Sequence, residues 1–448
     1  QLKTKTIIME HEVMQHIEGY TIIPFVLMLA AIAVGPMLFE HWWEKNKNKL
    51  IVSLVLGIPT AILLIAKGFL PELEHQLVFD YIPFIILLGG LFVVTGGIHL
   101  SGDIKATPVA NSTFLAIGAV LASFMGTTGA AMLLIRPVIA TNSQRKYKVH
   151  TILFFIAMVA NCGGLLTPLG DPPLFLLYLR GASFTWFFHL LPEYLLLNGS
   201  LLVVYFLVDM FLYKKEPQEN LVRDEVNVEP IRLQGNLNFV WLLGIILSVA
   251  FLNKQYIPEL EHNNFLGFIR EGAILIMALL SLVTTKKGLR EANHFTWHPI
   301  TEVAFLFLGI FITMVPALLY LKENAANLGL TTPFQFYFAT GALSGFLDNA
   351  PTALAFHSLA KGLFASMPEL FAGIPIVAGI PENLLAAISI GAVFFGSMTY
   401  IGNGPNFMVK AIAEESKVKM PDFFSYMYKF SLIVLLPIFV LIALIFML

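Results

Sequence analysis

Long apolar stretches alternate with short polar stretches along the chain. A helix needs about 20 mostly apolar residues to cross the ~30 Å hydrocarbon core of a bilayer. Eight uninterrupted stretches approach or exceed this length, and each predicts a membrane-spanning helix. They cover residues 20–39, 50–66, 81–100, 190–213, 238–252, 267–284, 300–321 and 426–448.

Four further apolar stretches are interrupted by glycine, proline and polar residues. The stretches 111–140 and 332–363 are broken near their middle. Each is either one tilted span or a re-entrant hairpin. About 30 residues form ~45 Å of helix, which overshoots the bilayer core but suits two half-length arms, so we expect hairpins. The stretches 150–179 and 383–413 predict broken helices.

The segments follow the same order in both halves of the chain. Thr-Pro-Leu-Gly-Asp-Pro-Pro at 167–173 is echoed by Thr-Tyr-Ile-Gly-Asn-Gly-Pro at 399–405, and two weaker echoes keep the same order. Such echoes indicate an internal duplication. If the hairpins do not cross, each half has five spans, and an odd number inverts the second half. The predicted fold is an all-α polytopic membrane protein with two inverted-topology repeats, 20–213 and 238–448. Each repeat has five transmembrane helices, one of them broken, and a re-entrant hairpin.

Composition agrees with a membrane protein and excludes other classes. Of the 448 residues, 57% are hydrophobic and 12% are charged, about half the ~25% charge of a soluble domain. So little charge excludes a soluble enzyme, and a net charge of −2 provides no basic face for nucleic acid. The single cysteine, Cys162, excludes disulfides within the chain and cysteine-rich metal sites.

The distribution of lysine and arginine predicts the orientation. The predicted topology places most of the 27 Lys and Arg residues on one face, together with the polar linker 214–237. By the positive-inside rule this face is cytoplasmic. Both termini then lie outside, and residues 1–19 form a segment at the outer surface.

Two acidic residues lie within the interruptions, Asp171 in the first half and Asp348 in the second. An ionised aspartate at mid-bilayer costs about 2.5–3.5 kcal/mol on insertion scales, so each is a candidate functional residue. The alternative is that each caps a half-helix. Asp209, near the end of a span, is expected to be solvated.

Neutral oxygen donors surround these acids in the sequence. Carboxylate, amide and hydroxyl oxygens suit a hard cation such as Na⁺ better than a soft metal. The alternative role for each of these residues is a polar contact that joins two helices. Asn349 and Asn403 rank highest because they lie in the interruptions themselves. The others are Asn161, Thr167, Thr352, Asn406, Thr127, Thr128 and Ser123.

These motifs resemble the ion transporter superfamily, which includes arsenite permeases, citrate and dicarboxylate transporters, and NhaD-type sodium/proton antiporters. The resemblance is strongest to the NhaD-type antiporters, at Gly-Gly-Leu-Leu-Thr-Pro-Leu-Gly-Asp-Pro-Pro (163–173) and Ser-Gly-Phe-Leu-Asp-Asn-Ala-Pro-Thr (344–352). It implies a bacterial cytoplasmic-membrane protein that exports Na⁺ or Li⁺ against H⁺, with no other cofactor. It also implies a transport domain built from the hairpins and broken helices, on a scaffold that forms a homodimer in the lipid bilayer. The implied titrating ligands are Asp171 and Asp348, beside Asn349, Thr352 and Asn403.

One departure from the relatives that carry carboxylates favours a cation. Those relatives tend to have Ser-Asn-Thr at both hairpin tips, whereas this chain has Gly-Thr-Thr-Gly at 126–129 and Asp-Asn at 348–349. An acid at a tip repels an anionic substrate. The leading hypothesis is therefore Na⁺ (or Li⁺)/H⁺ antiport, in which both ions compete for buried carboxylates. The alternatives are Na⁺-coupled symport of a small anion such as a dicarboxylate, and a channel or non-transporting subunit.

Overall fold

Helices dominate the computed structural model, which describes residues 16–261 and 266–448. Most of the predicted outer segment 1–19 lies outside the described residues. Within the described ranges, nine helical segments are long and apolar enough to cross a membrane. They are Gly19–Pro36, Asn46–Ala66, Leu70–Thr95, Pro108–Met125, Val149–Leu166, Phe184–Tyr213, Leu266–Thr284, His298–Glu323 and Phe423–Phe446.

From residue 16 to the end of β2 the chain forms eleven α-helices, and strands β1 (His99–Asp103) and β2 (Glu229–Gln234) pair antiparallel. The helices are α1 (Ile23–Leu38), α2 (Glu40–Trp43), α3 (Asn46–Ala66), α4 (Leu70–His75), α5 (Ile82–Thr95), α6 (Pro108–Met125), α7 (Thr127–Thr141), α8 (Val149–Met158), α9 (Pro172–Leu179), α10 (Leu191–Tyr213) and α11 (Gln218–Val226). A π-helix, Gln76–Tyr81, joins α4 to α5. Short 3₁₀ turns cover Gly19–Ile22, Cys162–Leu166 and Phe184–Leu190.

The described residues of the second half form ten α-helices and a short antiparallel pair of strands, β3 (Ile376–Val377) and β4 (Ile380–Pro381). The helices are α12 (Leu237–Phe251), α13 (Ile269–Thr284), α14 (Lys287–Ala292), α15 (His298–Glu323), α16 (Pro333–Ser344), α17 (Asn349–Ser366), α18 (Glu382–Phe395), α19 (Gly404–Glu415), α20 (Phe423–Tyr426) and α21 (Leu436–Phe446). A π-helix, Met427–Leu435, joins α20 to α21. The 3₁₀ turns are Pro258–Glu261, Leu266–Phe268, Ala325–Leu328, Pro368–Phe371 and Gly396–Met398.

Two parts of the chain differ from the sequence-based expectation. The predicted span 81–100 begins at Leu70 and ends at Thr95, before two consecutive glycines. The chain then forms β1, whose partner β2 lies within the predicted linker 214–237. The pairing joins segments more than 100 residues apart, so local sequence pattern gives no sign of it.

The first helix of each predicted hairpin, α6 and α16, begins at a proline that follows a threonine. The Thr107 hydroxyl accepts a hydrogen bond from the Ala110 N–H at 3.2 Å, and Thr332 forms a capping box with Gln335. Proline suits the first helical position because its missing N–H would have no partner there. In the first hairpin the chain turns at Gly126, whose φ of +80° favours glycine.

The broken helix of the first half lies at the centre of the protein. In the segment Val149–Leu166, 83% of the most apolar stretch is buried inside the protein, compared with 22% in Leu266–Thr284. The hairpins α6/α7 and α16/α17 pack against this centre, with α17 on α9 and α7 on α19. The interruptions that carry the candidate residues are therefore enclosed by protein.

Candidate functional site

The first break is built around two glycines. After α8 the chain forms the 3₁₀ turn Cys162–Leu166 and reaches α9 through a second turn at residues 168–170. A Cβ atom on Gly170 would collide with the carbonyl oxygen of Gly164, so only glycine fits there. The next residue, Asp171, occupies the N-cap position of α9.

The Asp171 side chain is not used to cap its own helix. Prolines occupy the first two positions of α9 and have no N–H to donate. Among the described residues, no backbone N–H of α9 donates to this carboxylate. The carboxylate of Asp171 is therefore available to side chains from other elements.

Three neutral donors hold the Asp171 carboxylate, which is only 1% exposed. Oδ1 accepts hydrogen bonds from Thr127 Oγ1 and Asn403 Nδ2, both at 3.0 Å. Oδ2 accepts one from Asn349 Nδ2 at 2.5 Å. Within the part of the chain that the structure describes, no Lys, Arg or His forms an ion pair with it. The site thus has a buried acid without a positive partner.

An amide oxygen without a partner lies beside this carboxylate. Asn349 is fully buried, and its Oδ1 has no hydrogen-bond partner within residues 16–261 and 266–448. Buried acceptors in native proteins are nearly always satisfied, so an orphan oxygen calls for an explanation. A hard cation bound by Asp171 and this amide oxygen would supply one.

Four helix N-termini meet around Asp171. Thr127 and Asn349 are the first residues of α7 and α17, Asp171 precedes α9, and Asn403 precedes α19. Helix N-termini carry partial positive charge, which favours negative charge nearby. This offsets part of the cost of burying an ionised carboxylate, but it supplies no proton or cation.

The second break repeats the geometry of the first with an amide in place of the acid. A Cβ atom on Gly402 would lie 2.6 Å from the Gly396 carbonyl oxygen. In the first break, a Cβ atom on Gly170 would likewise collide with the Gly164 carbonyl oxygen. Asn403 then precedes α19 with φ −153° and ψ 141°, close to the −143° and 144° of Asp171. The two breaks therefore bring one acid and one amide together.

A layer of amides supports Asn403. Asn403 Nδ2 also donates to Asn161 Oδ1 at 3.2 Å, and Asn161 Nδ2 donates to Asn406 Oδ1 at 2.6 Å. Asn406 in turn donates to the carbonyl oxygens of Gly396 and Thr399 at 2.7 and 2.9 Å. Asn161 and Asn406 thus fix the two breaks against each other, and within the described chain neither forms a hydrogen bond with Asp171.

Asp348 and Thr352 lie close to the site without joining it. Asp348 is partly exposed, and its Oδ1 accepts a hydrogen bond from the Ala350 N–H at 3.1 Å, so it caps α17. The Thr352 hydroxyl donates to the Asp348 carbonyl oxygen at 2.9 Å. In the described chain, neither side chain forms a hydrogen bond with Asp171.

Two of the remaining predicted residues shape the first break. The Ser123 hydroxyl donates to the Gly163 carbonyl oxygen at 2.5 Å. The Thr167 hydroxyl donates to the Ser123 carbonyl oxygen and accepts from the Leu169 N–H at 3.1 Å. Both side chains therefore bind backbone groups and hold the hairpin against the broken helix.

A cleft of about 560 Å³ reaches the tip of the first hairpin. Its lining includes Thr127, Thr128 and Gly170, together with Pro299, Ile300 and Val303 at the start of α15. Most of the lining is apolar, and among the described residues it contains no cationic side chain. Thr128 therefore faces the cleft, while Thr127 faces both the cleft and Asp171.

A second buried acid, Asp209, and its ion-pair partners were not predicted from the sequence. Asp209 was expected to be solvated but is fully buried. Its Oδ1 lies 2.7 Å from Arg145 Nη1 and 2.8 Å from His150 Nε2. The expectation was wrong because an acid near a span end looks solvated unless its distant partners are known.

Comparison with known proteins identifies the family. The sequence model of the family described as "Putative citrate transport" matches residues 14–447. Inner membrane protein YbiR of Escherichia coli is 30% identical over 316 residues, which cover 67% of this chain and 78% of that protein. An uncharacterized transporter of Mycobacterium tuberculosis is 24% identical over 396 residues, covering 82% and 86% respectively. The chain therefore belongs to this family of ion transporters, and it is a multi-pass membrane transport protein rather than an enzyme.

Proposed function

We propose that this transporter exchanges Na⁺ or Li⁺ for H⁺ across the bacterial cytoplasmic membrane, and that both ions compete for Asp171. The observation that carries this proposal is a buried carboxylate whose described partners are all neutral. An ionised carboxylate at membrane depth is costly without a positive partner. A proton or a cation removes that cost, so each can occupy the site in turn.

Competition follows from general electrostatics. Burial of a carboxyl group favours the protonated form, whereas a nearby cation favours the ionised form. Cation binding therefore releases the proton, and protonation releases the cation. A site that moves across the membrane only when it is neutralised exchanges one ion for the other.

The residues around Asp171 fit a small hard cation. Asn349 and Asn403 each carry an amide oxygen in addition to the Nδ2 group that donates to the carboxylate, and the hydroxyl oxygen of Thr127 can accept as well as donate. When a cation replaces the proton, rotation of these groups presents oxygen to it. The unpaired Oδ1 of Asn349 already provides one such ligand.

The two-repeat architecture is part of the proposal. The matching geometry of the two breaks and the Thr-Pro starts of α6 and α16 support an internal duplication. In this arrangement α6/α7 and α16/α17 are re-entrant hairpins and both termini lie outside. The protein works as a homodimer on a scaffold of the remaining spans.

Asp348 and Thr352 play a smaller part than Asp171. Asp348 caps α17 and thereby orients Asn349, the first residue of that helix. Because Asp171 is enclosed by side-chain donors and Asp348 is not, one proton is exchanged for each monovalent cation. Exchange in this ratio moves no net charge.

A second candidate function is Na⁺-coupled uptake of a small anion such as a dicarboxylate. The family description and the four converging helix N-termini favour it. In that function Asp171 holds only sodium. The absence of cationic side chains from the described lining of the cleft weighs against it.

Inverted vesicles from antiporter-deficient cells test the proposal. With an acidified lumen, added Na⁺ or Li⁺ is expected to raise the lumenal pH in wild type and in the control Glu414→Gln. Glu414 pairs with Lys410 near the C-terminal end of α19, about three helical turns from Asn403. Asp171→Asn is expected to abolish the response because it cannot exchange a proton. The proposal fails if no cation moves protons in wild type, and Na⁺-dependent uptake of labelled dicarboxylate would then establish the second function.

A further inference from the structure

Two cavities meet opposite ends of α9. The cleft beside Thr127 touches Pro172, the first residue of α9. A second cavity, of about 1470 Å³ and here named the vestibule, touches Tyr178 and Arg180 at the other end. Eight residues of α-helix span about 12 Å. The same arrangement holds along Leu70–Thr95, where the vestibule meets the start and the cleft meets the end. The short helix α9 therefore separates the two cavities.

A charged contact fixes the vestibule end of α9. Arg180 Nη2 donates to Asp80 Oδ2 at 2.7 Å and to Gln76 Oε1 at 3.0 Å. Both acceptors belong to the π-helix Gln76–Tyr81. Asp80 is 1% exposed and Gln76 is 3% exposed. Single π-helical turns frequently mark functional sites.

A second contact holds the same end of α9. The Tyr178 hydroxyl donates to the Val249 carbonyl oxygen of α12 at 2.8 Å. Arg270 Nη1 of α13 donates to the Tyr178 oxygen at 3.2 Å, and its guanidinium lies over the ring of Phe175. Three scaffold segments, the π-helix, α12 and α13, thus bind the last turn of the helix that begins at Asp171.

We propose that Arg180, Asp80 and Gln76 form a gate that closes the vestibule side of the ion site. In the present structure the cleft is lined by Thr127, whereas the vestibule is lined by Asp80, Arg180 and Tyr178 at the other end of α9. Opening of the vestibule side separates Arg180 from Asp80, and water from the vestibule then solvates both charges. Arg180 is a positioning residue, since it acts on Asp171 through α9.

The charges around the gate allow it to open. About half of the vestibule lining is polar, and both members of the ion pair, Asp80 and Arg180, belong to this lining. Ion pairs weaken sharply when water reaches them, so hydration lowers the cost of separation. The charged and titratable residues of the lining are His75, Asp80, Arg180, Lys254, Arg270 and Glu271.

Cysteine accessibility tests the gate directly. Phe175, 1% exposed, lies on α9 between Asp171 and Tyr178, and Cys162→Ala removes the natural thiol. The reporter Phe175→Cys is treated with N-ethylmaleimide in detergent, with exposed Ser416→Cys as the reference for full reactivity. Asp80→Asn or Arg180→Gln is expected to increase the rate of modification about tenfold. Loss of one hydrogen bond to a charged group changes the ratio of open to closed gate by about this factor.

A charge exchange separates gating from damage to the fold. The double variant Asp80→Arg, Arg180→Asp is expected to restore slow modification, whereas Glu414→Gln leaves the rate unchanged. Equal rates in all variants, or a monodisperse double variant as reactive as the single variants, would overturn the gate. The inference rests on the alternating access of the proposed function but not on which ion moves. If ion exchange fails while accessibility changes as expected, the gate stands and the antiport does not.

Discussion

Two aspartates, Asp171 and Asp209, are equally withdrawn from solvent, at 1% and 0% exposure, yet their surroundings differ. Asp209 has two basic partners, Arg145 at 2.7 Å and His150 at 2.8 Å. The described partners of Asp171 are hydroxyl and amide groups. Burial alone therefore does not distinguish a transport site from a structural ion pair. In the proposed function the lack of a positive partner makes the difference, because it leaves a charge that a mobile ion can neutralise.

The Asp209 cluster joins elements at one end of the first hairpin. Asn111 of α6 donates to Asp209 Oδ2 at 3.3 Å and exchanges hydrogen bonds with Asn142 beyond α7. Arg145 and His150 connect the following loop and α8 to the same acid. The cluster anchors the hairpin whose other end, at Thr127, contacts Asp171.

The largest difference between the two aspartates is expected when each is replaced in turn. Saturating Na⁺ is expected to stabilise wild type against heat by about 2.7 kcal/mol at 100 times the dissociation constant. Asp171→Asn is expected to lose this stabilisation completely, while its stability without Na⁺ stays the same or rises. Asp209→Asn is expected to keep it. Thermal unfolding followed by size-exclusion chromatography measures both, and Na⁺ stabilisation of Asp171→Asn would contradict the assignment.

The structural acid is expected to show the opposite profile. Arg145→Gln leaves Asp209 buried without its strongest partner, and breaking a buried ion pair costs about 3–5 kcal/mol. The variant is expected to unfold at a much lower temperature but, in the folded fraction, to bind Na⁺ with unchanged affinity. Arg223→Gln, at an exposed pair with Glu219, is the matched control and is expected to match wild type. A stable Arg145→Gln protein with altered ion affinity would show that the cluster belongs to the transport site.

The sequence predicts much of the Asp171 site because its signals are local. Glycines and prolines at 163–173 and 402–405 disrupt the helices, and an acid within such a break stands out against apolar neighbours. The matching order of the two halves places Asn403 where Asp171 stands. The cross-half contact of 3.0 Å between them then follows from the fold.

The ion pairs could not be predicted in the same way. Asp80 and Arg180 are 100 residues apart, and Arg145 and Asp209 are also distant in sequence. Each acid lies in an apolar helix whose neighbours give no sign of its partner. Which charges meet depends on how helices pack, and on the π-helix that turns Gln76 and Asp80 toward one guanidinium.

A weaker test concerns the neutral ligands. Asn349→Ala removes one donor to Asp171 and the unpaired oxygen beside it. One such interaction is worth about 1.4 kcal/mol, so the Na⁺ concentration for half-maximal exchange is expected to rise about tenfold. Asn406→Ala disturbs only the amide layer behind the site and is expected to have a smaller effect on this concentration. Equal shifts in both variants would show that Asn349 acts through the fold.

The smallest effect is expected at Asp348, the second acid that the sequence singles out. Its carboxylate caps α17, and asparagine caps helices about as well as aspartate. Asp348→Asn should therefore change the maximal exchange rate and the half-maximal Na⁺ concentration by less than about threefold, since a few tenths of a kcal/mol are at stake. The same vesicle assay used for Asp171→Asn measures it, with Asp348→Ala to remove the cap. Complete loss of exchange in Asp348→Asn, with the protein folded, would make Asp348 a second titrating ligand. Exchange would then carry two protons per cation and respond to membrane potential, because each net charge couples to the field by about 2.3 kcal/mol per 100 mV.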